Sequence, residues 1–256
     1  FIFPNWSAVY SVAKNDQPDN AQFNRTSGLS NFVESPQSID RNLPRRWDRN
    51  TDTDYTGYLN FILTPAFIAE QKGEISVGGM YRNKQRSNYY NKYNLDPKPA
   101  PQYKGADWQT YNDVKMVVLN PLGSSTDEQN YHAHENLLDY YVQFRILLAK
   151  RLQVLTGVRA EQTDQGYLLL FPKTNETPSQ NQKYTDVLPS MSLKYSPNEQ
   201  MNIRSTYYKA ICRPGFFEIV PYYNDNSFTE NYASAGNPNL KRIQAHNYDL
   251  RWEYFP

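Results

Sequence analysis

The feature that most constrains the fold is an alternation of apolar and polar residues in several segments of the chain. In the clearest segment, the even-numbered positions from Leu138 to Leu148 are all apolar or aromatic, while Asp139, Gln143 and Arg145 lie between them. Successive side chains of a β-strand point to opposite faces, so this pattern predicts a strand with one apolar and one mostly polar face. Together with residues 138–148, similar segments predict about eight strands: 6–13, 55–69, 75–82, 152–163, 187–195, 203–211 and 248–254.

Short and long connections alternate along the chain between these segments. The short ones cover residues 70–73, 149–151 and 196–199, and the long ones cover 17–54, 87–135, 166–183 and 214–245. An up-and-down sheet with all its long loops at one end is typical of outer-membrane β-barrels. Strands of about 9–11 residues are long enough to cross a bilayer when tilted.

Composition and motifs disfavour several other classes of protein. No apolar run reaches the roughly 18 residues of a membrane-spanning helix, and a net charge of +1 argues against a nucleic-acid partner. The single cysteine, Cys212, excludes a disulfide scaffold. Nucleophile-elbow, phosphate-loop and zinc-protease motifs are missing, and the pair His132 and His134 is too small a ligand set for a metal. We therefore expect no catalytic residues, no metal site and no cofactor.

Alternation alone does not separate a barrel from a soluble β-sandwich, because a sandwich also buries one face of each sheet. Aromatic residues near the strand ends favour the barrel, since rings gather at the two lipid–water interfaces. These residues of the apolar face are Tyr140, Tyr195, Tyr207, Trp252 and Tyr254. The alternatives that stay open are a secreted carbohydrate-binding sandwich and a glycoside hydrolase that uses a carboxylate pair in its loops.

An ordered set of motifs resembles the β-barrel of TonB-dependent outer-membrane receptors, in a style similar to receptors from Bacteroidetes. The upstream stretch 73–86 also resembles that family. The motifs are ENLLDYY (135–141), LTGVRAE (155–161), LPSMSLKY (188–195), NIRSTY (202–207), CRPGFFEIVP (212–221), GNPNLK (236–241) and NYDLRWEY (247–254).

This resemblance implies an all-β, antiparallel up-and-down transmembrane β-barrel of about 22 strands, closed around an N-terminal plug domain. Residues 1–256 would then be part of one barrel domain, an internal fragment with about eight of the strands and with the plug and the C-terminal strands absent. A barrel of eight strands complete in itself is the alternative.

The resemblance also implies a location and partners. The location is the bacterial outer membrane, and the partners are outer-membrane lipid, the protein's own plug domain and the TonB–ExbB–ExbD complex, which acts through the plug. A surface lipoprotein is a further partner by analogy, and no nucleic acid is expected. The transported ligand would be a scarce nutrient: an iron chelate, haem, cobalamin or a glycan, bound at extracellular loops.

Two groups of residues are candidate functional residues. Charged side chains on the polar face are expected to line the lumen and to pair with one another or with the plug through charge-assisted hydrogen bonds. They are Arg145, Arg159, Glu161, Lys194, Arg204, Arg251 and Glu253.

Aromatic residues in the long connections are the candidate ligand contacts, because their rings offer stacking surfaces with polar tips. They are Tyr89, Tyr90, Tyr93, Trp108, Tyr222 and Tyr223. Packing of the loops on themselves is the alternative for each ring. Pro214 cannot donate to a strand ladder, so Arg213 and Pro214 are expected to end a strand at the outer rim.

Overall fold

The computed structural model of the chain describes residues 2–21, 25–26, 29–30, 33–34, 37–39, 43–65, 73–98, 102–103, 115–124, 129–174, 176–225 and 233–256. Within these residues the structure is almost entirely β. The one helix of this part, α1, is the single turn Phe216–Ile219. No helix there is long and apolar enough to span a membrane.

The described residues form sixteen strands. In chain order they are β1 (Ile2–Ala21), β2 (Arg25–Thr26), β3 (Leu29–Ser30), β4 (Val33–Glu34), β5 (Gln37–Ile39), β6 (Leu43–Leu63), β7 (Glu74–Pro97), β8 (Gln102–Tyr103), β9 (Met116–Val118), β10 (Tyr131–Ala149), β11 (Leu152–Leu169), β12 (Ser179–Asn198), β13 (Met201–Cys212), β14 (Tyr223–Asp225), β15 (Ala233–Ala235) and β16 (Ile243–Tyr254).

Eight long strands make one antiparallel up-and-down sheet in the order β1-β6-β7-β10-β11-β12-β13-β16. Each strand pairs with its predecessor and successor in this order, as the sequence predicted for about eight strands. The short strand β9 extends the sheet beside β7, and β14 pairs with β15 in a separate hairpin. Strands β1 and β16 stand at the two ends of the order, and no pairing within the described residues joins them.

One face of this sheet, the apolar face, carries the rows of apolar residues read from the sequence. One such row joins Phe61, Val77, Val142, Val158 and Pro189 across five strands. No second sheet within the described residues packs on this face, and Tyr140 and Leu148 are 55% and 61% exposed. A β-sandwich buries such residues, so the described sheet has the surface of a membrane barrel instead.

Tyrosines on the apolar face follow a diagonal across the sheet: Tyr10, Tyr55, Tyr81, Tyr140, Tyr207 and Tyr248. From β1 to β16 the diagonal moves eight residues along the strands, about 27 Å, and seven strand spacings, about 34 Å. A line of interfacial rings that runs parallel to a membrane surface therefore requires a strand tilt of about 40°, within the roughly 35–45° of outer-membrane barrels.

The strands extend well beyond the alternating segments. The predicted connections 17–54, 87–135 and 166–183 are wrong at their ends, because β6 begins at Leu43, β7 continues to Pro97 and β10 begins at Tyr131. In these extensions the apolar-face side has polar residues such as Thr51, Gln85 and His134, so the alternation is lost. Cross-strand hydrogen bonds and ion pairs keep the backbone extended there. The predicted turn at 70–73 lies outside the described residues except for Gly73.

Candidate functional site: the charged face and the segment that covers it

The opposite side of the sheet, the charged face, carries cross-strand ion pairs. Between β6 and β7, the Asp52 carboxylate accepts two hydrogen bonds from Arg86, at 2.6 and 2.8 Å, and lies 3.2 Å from Lys84 Nζ. Asp54 accepts a hydrogen bond from Arg82 Nε at 2.8 Å. Bidentate arginine–carboxylate pairs of this type hold two strands in a defined register.

Two carboxylates at the centre of the charged face are buried. Asp139 and Glu161 face each other across β10 and β11 and are 3% and 2% exposed. Arg159 Nη2 lies 2.9 Å from Glu161 Oε2, and Arg159 Nη1 lies 3.7 Å from Asp139 Oδ2. Arg213, which follows β13, also forms an ion pair with Glu161. Because unpaired buried charges are costly, both arginines are needed to stabilise this pair of acids.

The other predicted lumen residues lie near the tight-turn end of the same face. Arg145 Nη1 lies 3.3 Å from Glu74 Oε1. Glu253 accepts a hydrogen bond from Arg204 Nε at 3.1 Å, and its other oxygen lies 3.6 Å from Arg251 Nη1. Lys194 is half-buried, in register with Gln153 and Arg204. The structure thus brings most of these residues into pairs within the sheet, and their contact with a plug stays a prediction.

The chain after β13 packs on the charged face; we call residues 213–222 and 234–242 the covering segment. Its side chains Phe216, Ile219, Val220 and Tyr222 are buried in one apolar cluster with residues of β10 and β11. The β10 and β11 residues of this cluster are Tyr131, Ala133, Tyr167 and Leu169. The predicted strand end at Arg213 and Pro214 is confirmed, since β13 ends at Cys212. The rim position of these two residues stays a prediction; after them the chain turns onto the charged face of the sheet.

Polar contacts fix the covering segment at both of its ends. At the first end, Arg213 pairs with Glu161 and donates from Nε to Thr163 Oγ1 at 3.1 Å. Close by, Gln165 Nε2 donates to the Pro214 carbonyl at 2.8 Å. Burial lowers the pKa of the Arg213 guanidinium, and the carboxylates of Glu135 and Asp139 oppose that shift.

At the second end, Arg242 Nε donates to Asp186 Oδ2 at 2.6 Å, and the Arg242 guanidinium lies 4.2 Å from the ring centre of Tyr184. Asp186 is 2% exposed. Gln182 Nε2 donates to the carbonyls of Pro238 and Leu240, at 2.8 and 3.1 Å. Backbone carbonyls of the covering segment are thus satisfied by glutamines of the sheet.

The covering segment is also tied together internally. Gly215 N donates to Glu218 Oε2 at 2.6 Å, and Asn237 N donates to the Glu218 carbonyl at 2.7 Å. A Cβ atom at Gly236 would come within 1.8 Å of the Val220 carbonyl oxygen, so only glycine permits this approach of two backbones. The two stretches of the covering segment therefore form one packed unit.

Three of the candidate ligand aromatics lie in β7 and not in a loop. Tyr89, Tyr90 and Tyr93 belong to the part of β7 that continues past the alternating segment. Tyr90 is buried, and the Tyr93 ring packs edge-on against Trp47 at 5.5 Å. Tyr89 is exposed. The loop prediction was wrong for these residues because their polar neighbours resemble loop composition.

The remaining candidates are divided between the covering segment and undescribed parts. Tyr222 is buried in the apolar cluster, where burial raises its pKa, and its ring lies 4.7 Å from the Phe217 ring. Tyr223 lies in β14, where only the backbone is described, and Trp108 lies outside the described residues. Phe217 was missed by sequence reasoning: its ring is exposed, on the side of α1 away from the buried Phe216 and Ile219. Adjacent residues of a helical turn point in different directions, which buries Phe216 and exposes Phe217. The alternation that identifies strands does not predict such a turn.

No group of three or more His, Cys, Asp or Glu side chains suited to a metal ion occurs within the described residues. His132 is exposed, and His134 Nε2 lies 3.5 Å from Asp164 Oδ1. In the register of β10 and β11, His132 pairs with Leu168 and His134 pairs with Gly166. Both histidines lie on the same side of the sheet as the apolar face, nearer to the long connections.

The chain is similar in sequence and in structure to known outer-membrane proteins. A family model described as "Outer membrane protein beta-barrel family" matches residues 4–256. A similar solved structure is that of the alcaligin outer-membrane receptor FauA from Bordetella pertussis, with 11% sequence identity and a TM-score of 0.36. The match covers 97% of this chain and 40% of that one, so the chain spans less than half the length of FauA. No curated protein matches.

Proposed function

The chain belongs to the outer membrane protein beta-barrel family, and from this we propose that it is part of a TonB-dependent receptor that imports a scarce nutrient through a plugged barrel. The bacterial outer membrane is its location. The observation that carries the proposal is the two-faced sheet, with an apolar face suited to lipid and a charged face covered at one end by its own chain. The function is transport and not catalysis.

The charged face supports a lumen with an internal partner. Arg145, Arg159, Arg204 and Arg251 lie on it with Glu74, Glu161 and Glu253, in a mixture of signs. A plug domain of mixed charge binds such a surface by exchanging partners with it, through charge-assisted hydrogen bonds. We take these residues, with Lys194, as the contacts of the protein's own plug, except that Glu161, which is 2% exposed, acts by holding the more exposed Arg159.

The sheet is proposed to be a section of a larger barrel of about 22 strands. In the described residues β1 and β16 do not pair with each other, and an open sheet edge is not tolerated in lipid. Additional strands of the same protein would complete the pairing of both edges. The plug, and through it the TonB–ExbB–ExbD complex, would belong to the same protein, with a surface lipoprotein as a further partner.

The ligand is proposed to bind at the long-loop end, which faces the outside in barrels of this type. Tyr89, on the apolar-face side of β7 beyond the lipid-facing rows, and Phe217, on the covering segment, have exposed rings there. Flat rings stack on haem, cobalamin, sugars or the aromatic groups of iron chelates. Of the original candidates, Trp108 and Tyr223 remain proposed contacts. Tyr90, Tyr93 and Tyr222 are proposed to support that surface, Tyr90 and Tyr222 as buried residues and Tyr93 through its contact with Trp47.

The test of transport is uptake by cells that carry the full-length protein. We expect uptake of one labelled ligand from a panel of ferric siderophores, haemin, cyanocobalamin and oligosaccharides, and loss of that uptake when TonB is deleted. Uptake that continues at the same rate without TonB, for all small solutes, would contradict the proposal and indicate a passive pore.

The test of the ligand contacts uses the purified full-length protein and the ligand found above. The changes Tyr89→Ala and Phe217→Ala are expected to weaken binding by about 0.5–1.5 kcal/mol for each stacked ring lost, in addition to the contact area. The matched control is Tyr81→Ala, which removes a ring that is 52% exposed, against 41% for Tyr89 and Phe217, from the line of tyrosines in the lipid-facing rows. Equal effects of all three changes would show that the rings act through folding and not through contact.

A further inference from the structure

We propose that two adjoining hollows on the apolar-face side of the sheet form one binding groove for a phosphorylated glycolipid of the outer leaflet. An acyl chain would lie over Gly57 and Gly79. The sugar head group would lie against Asn136, Asp164 and Lys183. The groove is on the outside of the barrel, away from the charged face and the covering segment. It depends on the outer-membrane location and not on the proposed transport function.

The lower hollow is an open apolar groove of about 690 Å³, a size within the roughly 300–1,000 Å³ of ligand sites. Its floor is glycine: Gly57 pairs with Tyr81 in the register, and Gly79 pairs with Tyr140. A Cβ atom at Gly57 would meet no atom of the described residues within 4 Å, so no protein side chain fills this place. Two rings of the tyrosine diagonal therefore stand beside positions without a side chain, which leaves a path for a hydrocarbon chain.

The upper hollow is a groove of about 390 Å³ with a mixed lining. Its polar side chains on the apolar-face side are Asn136, Gln162, Asp164, Lys183 and Thr185. Tyr81 and Leu138 line both hollows, so the two adjoin at these side chains. The combined groove thus has an apolar part and a polar part, as an amphiphile requires.

The tilt of the strands places the polar part above the apolar part. One register row joins Gly57, Tyr81, Leu138, Gln162 and Thr185 across five strands. The tyrosine diagonal shifts towards the tight turns from β1 to β16, so each register row rises out of the bilayer in that direction. The row is deepest at Gly57 and highest at Thr185, on the side of the long connections, which face outside. An outer-leaflet lipid has the same order, with its chains below its head group.

The next row, which contains Asn136, Asp164 and Lys183, provides donors and a positive charge. Lys183 Nζ lies 2.9 Å from Asp164 Oδ2, and the Lys183 side chain is 70% exposed. An ammonium has three donors, so the contact with Asp164 leaves donors for a phosphate oxygen. Asn136 accepts a hydrogen bond from Asn83 with its oxygen, which leaves its amide nitrogen as a donor to sugar hydroxyls. The Tyr81 ring at the lower edge is a surface on which a sugar ring can lie.

A glycolipid fits this arrangement better than a glycerophospholipid or a second copy of the chain. The row of Asn136 and Lys183 lies two residues beyond the row of Tyr81, about 7 Å along the strands. A head group that uses it must extend past the interfacial rings, which a phosphorylated sugar does. A second copy packed on the lower hollow would use apolar contacts alone and leave the polar row without a function.

The first experiment compares lipids on the purified full-length protein in detergent. A diphosphorylated, acylated glucosamine disaccharide (lipid A), phosphatidylglycerol and phosphatidylethanolamine are added at equal concentrations, and native mass spectrometry measures how much of each is bound. We expect one molecule of lipid A to be retained at least about tenfold more strongly than either glycerophospholipid. Equal retention of the three lipids would overturn the proposal, because the head group would then not be recognised.

Gly57→Val tests the apolar part of the groove. The variant is expected to fold, since its Cβ has space, and to retain at least about tenfold less lipid A, because the valine occupies the place of the acyl chain. Ser205→Val is the matched control. It adds the same side chain at an exposed position of the apolar face outside the groove, in register with Leu193 and Leu250.

Lys183→Gln tests the polar part. Retention of lipid A is expected to fall by up to about fivefold, the effect of one solvent-exposed charge contact, while retention of phosphatidylethanolamine stays the same. The matched control is Lys209→Gln, which removes a positive charge from the same side of the sheet on β13, in register with His246 and outside the groove.

Two further results would overturn the proposal. Retention of lipid A that is unchanged in Gly57→Val or in Lys183→Gln would show that the two hollows do not form one site for it. A dimer that Gly57→Val converts to a monomer, with no lipid A retained by the parent protein, would assign the lower hollow to a second copy of the chain. The heat-dependent shift of the barrel in gel electrophoresis confirms that each variant is folded.

Discussion

The two ends of β10 and β11 have opposite polarity on the same face of the sheet. Towards the tight turn, the charged face carries Asp139, Arg159 and Glu161, and the apolar rows lie on the other side. Towards the long connections, the charged-face side carries the apolar Tyr131, Ala133 and Tyr167, and His132 and His134 lie opposite. The first end has its apolar surface turned to lipid, and the second has it turned to the covering segment. One pair of extended strands therefore turns apolar side chains to lipid at one end and to the protein's own chain at the other.

The prediction with the largest expected effect tests whether the apolar rows of β10 and β11 face lipid. Replacement of Val142 or Val158 by Arg is expected to destabilise the barrel by up to about 2–4 kcal/mol, the cost of an arginine at the midplane of the bilayer, because both residues lie in the lipid-facing rows. Gln143→Arg and Gln153→Arg, on the charged face, should cost much less. The free energy of unfolding of the full-length protein in lipid vesicles is the measurement. Equal costs at all four positions would contradict the assigned faces.

The next effect tests the end covered by the chain itself. Gly236→Ala is expected to destabilise the docked covering segment by about 1–3 kcal/mol, since the added Cβ overlaps the Val220 carbonyl oxygen. The matched control is Gly57→Ala, where a Cβ meets no atom within 4 Å. Limited proteolysis of the covering segment measures the change. Barrel unfolding should be the same for both variants, and a loss of barrel stability with Gly236→Ala would show that the two ends are not independent.

The predictions with the smallest expected effects compare the stability contributions of two ion pairs that lie beyond the lipid-facing rows. Arg86→Gln is expected to cost about 1–3 kcal/mol, because it leaves Asp52 part-buried without its main partner. Arg49→Gln should cost only about 0–1 kcal/mol, because both members of its pair with Asp16 are exposed. The side chains of Arg86 and Asp52 are 19% and 16% exposed, against 59% and 56% for Arg49 and Asp16. Unfolding in denaturant measures both, and a larger cost for Arg49→Gln would reverse this ranking.

The sequence was informative where one face of a strand meets lipid. Val142 and Val158 are adjacent in register, as the alternation of each strand required, and the turn predicted at 149–151 is confirmed between Ala149 and Leu152. The turn predicted at 196–199 lies at residues 199–200, because β12 continues to Asn198. The extensions of β6 and β7 were missed, because polar residues on the apolar-face side remove the periodic signal while ion pairs such as Asp52 with Arg86 keep the strands paired.

The covering segment was beyond sequence reasoning for a different reason. Phe216, Ile219 and Val220 form an apolar run without strand periodicity, and their partners Tyr131 and Tyr167 are far away in the chain. Only the three-dimensional path after Cys212 brings them together. The inversion of polarity along β10 could not be predicted from the sequence either. Leu137 and Leu138 are both apolar at the point where the apolar residues change from one face of the strand to the other.

The inversion has a consequence for the biogenesis of the protein. The apolar patch of Tyr131, Ala133 and Tyr167 is completed only by Phe216 to Tyr222, which follow β12 and β13 in the chain. While the sheet assembles and the covering segment has not yet docked, β10 and β11 expose apolar surface on the charged face as well as in the lipid-facing rows. An assembling barrel of this sequence therefore has two apolar surfaces that can aggregate, and docking of the covering segment removes one of them.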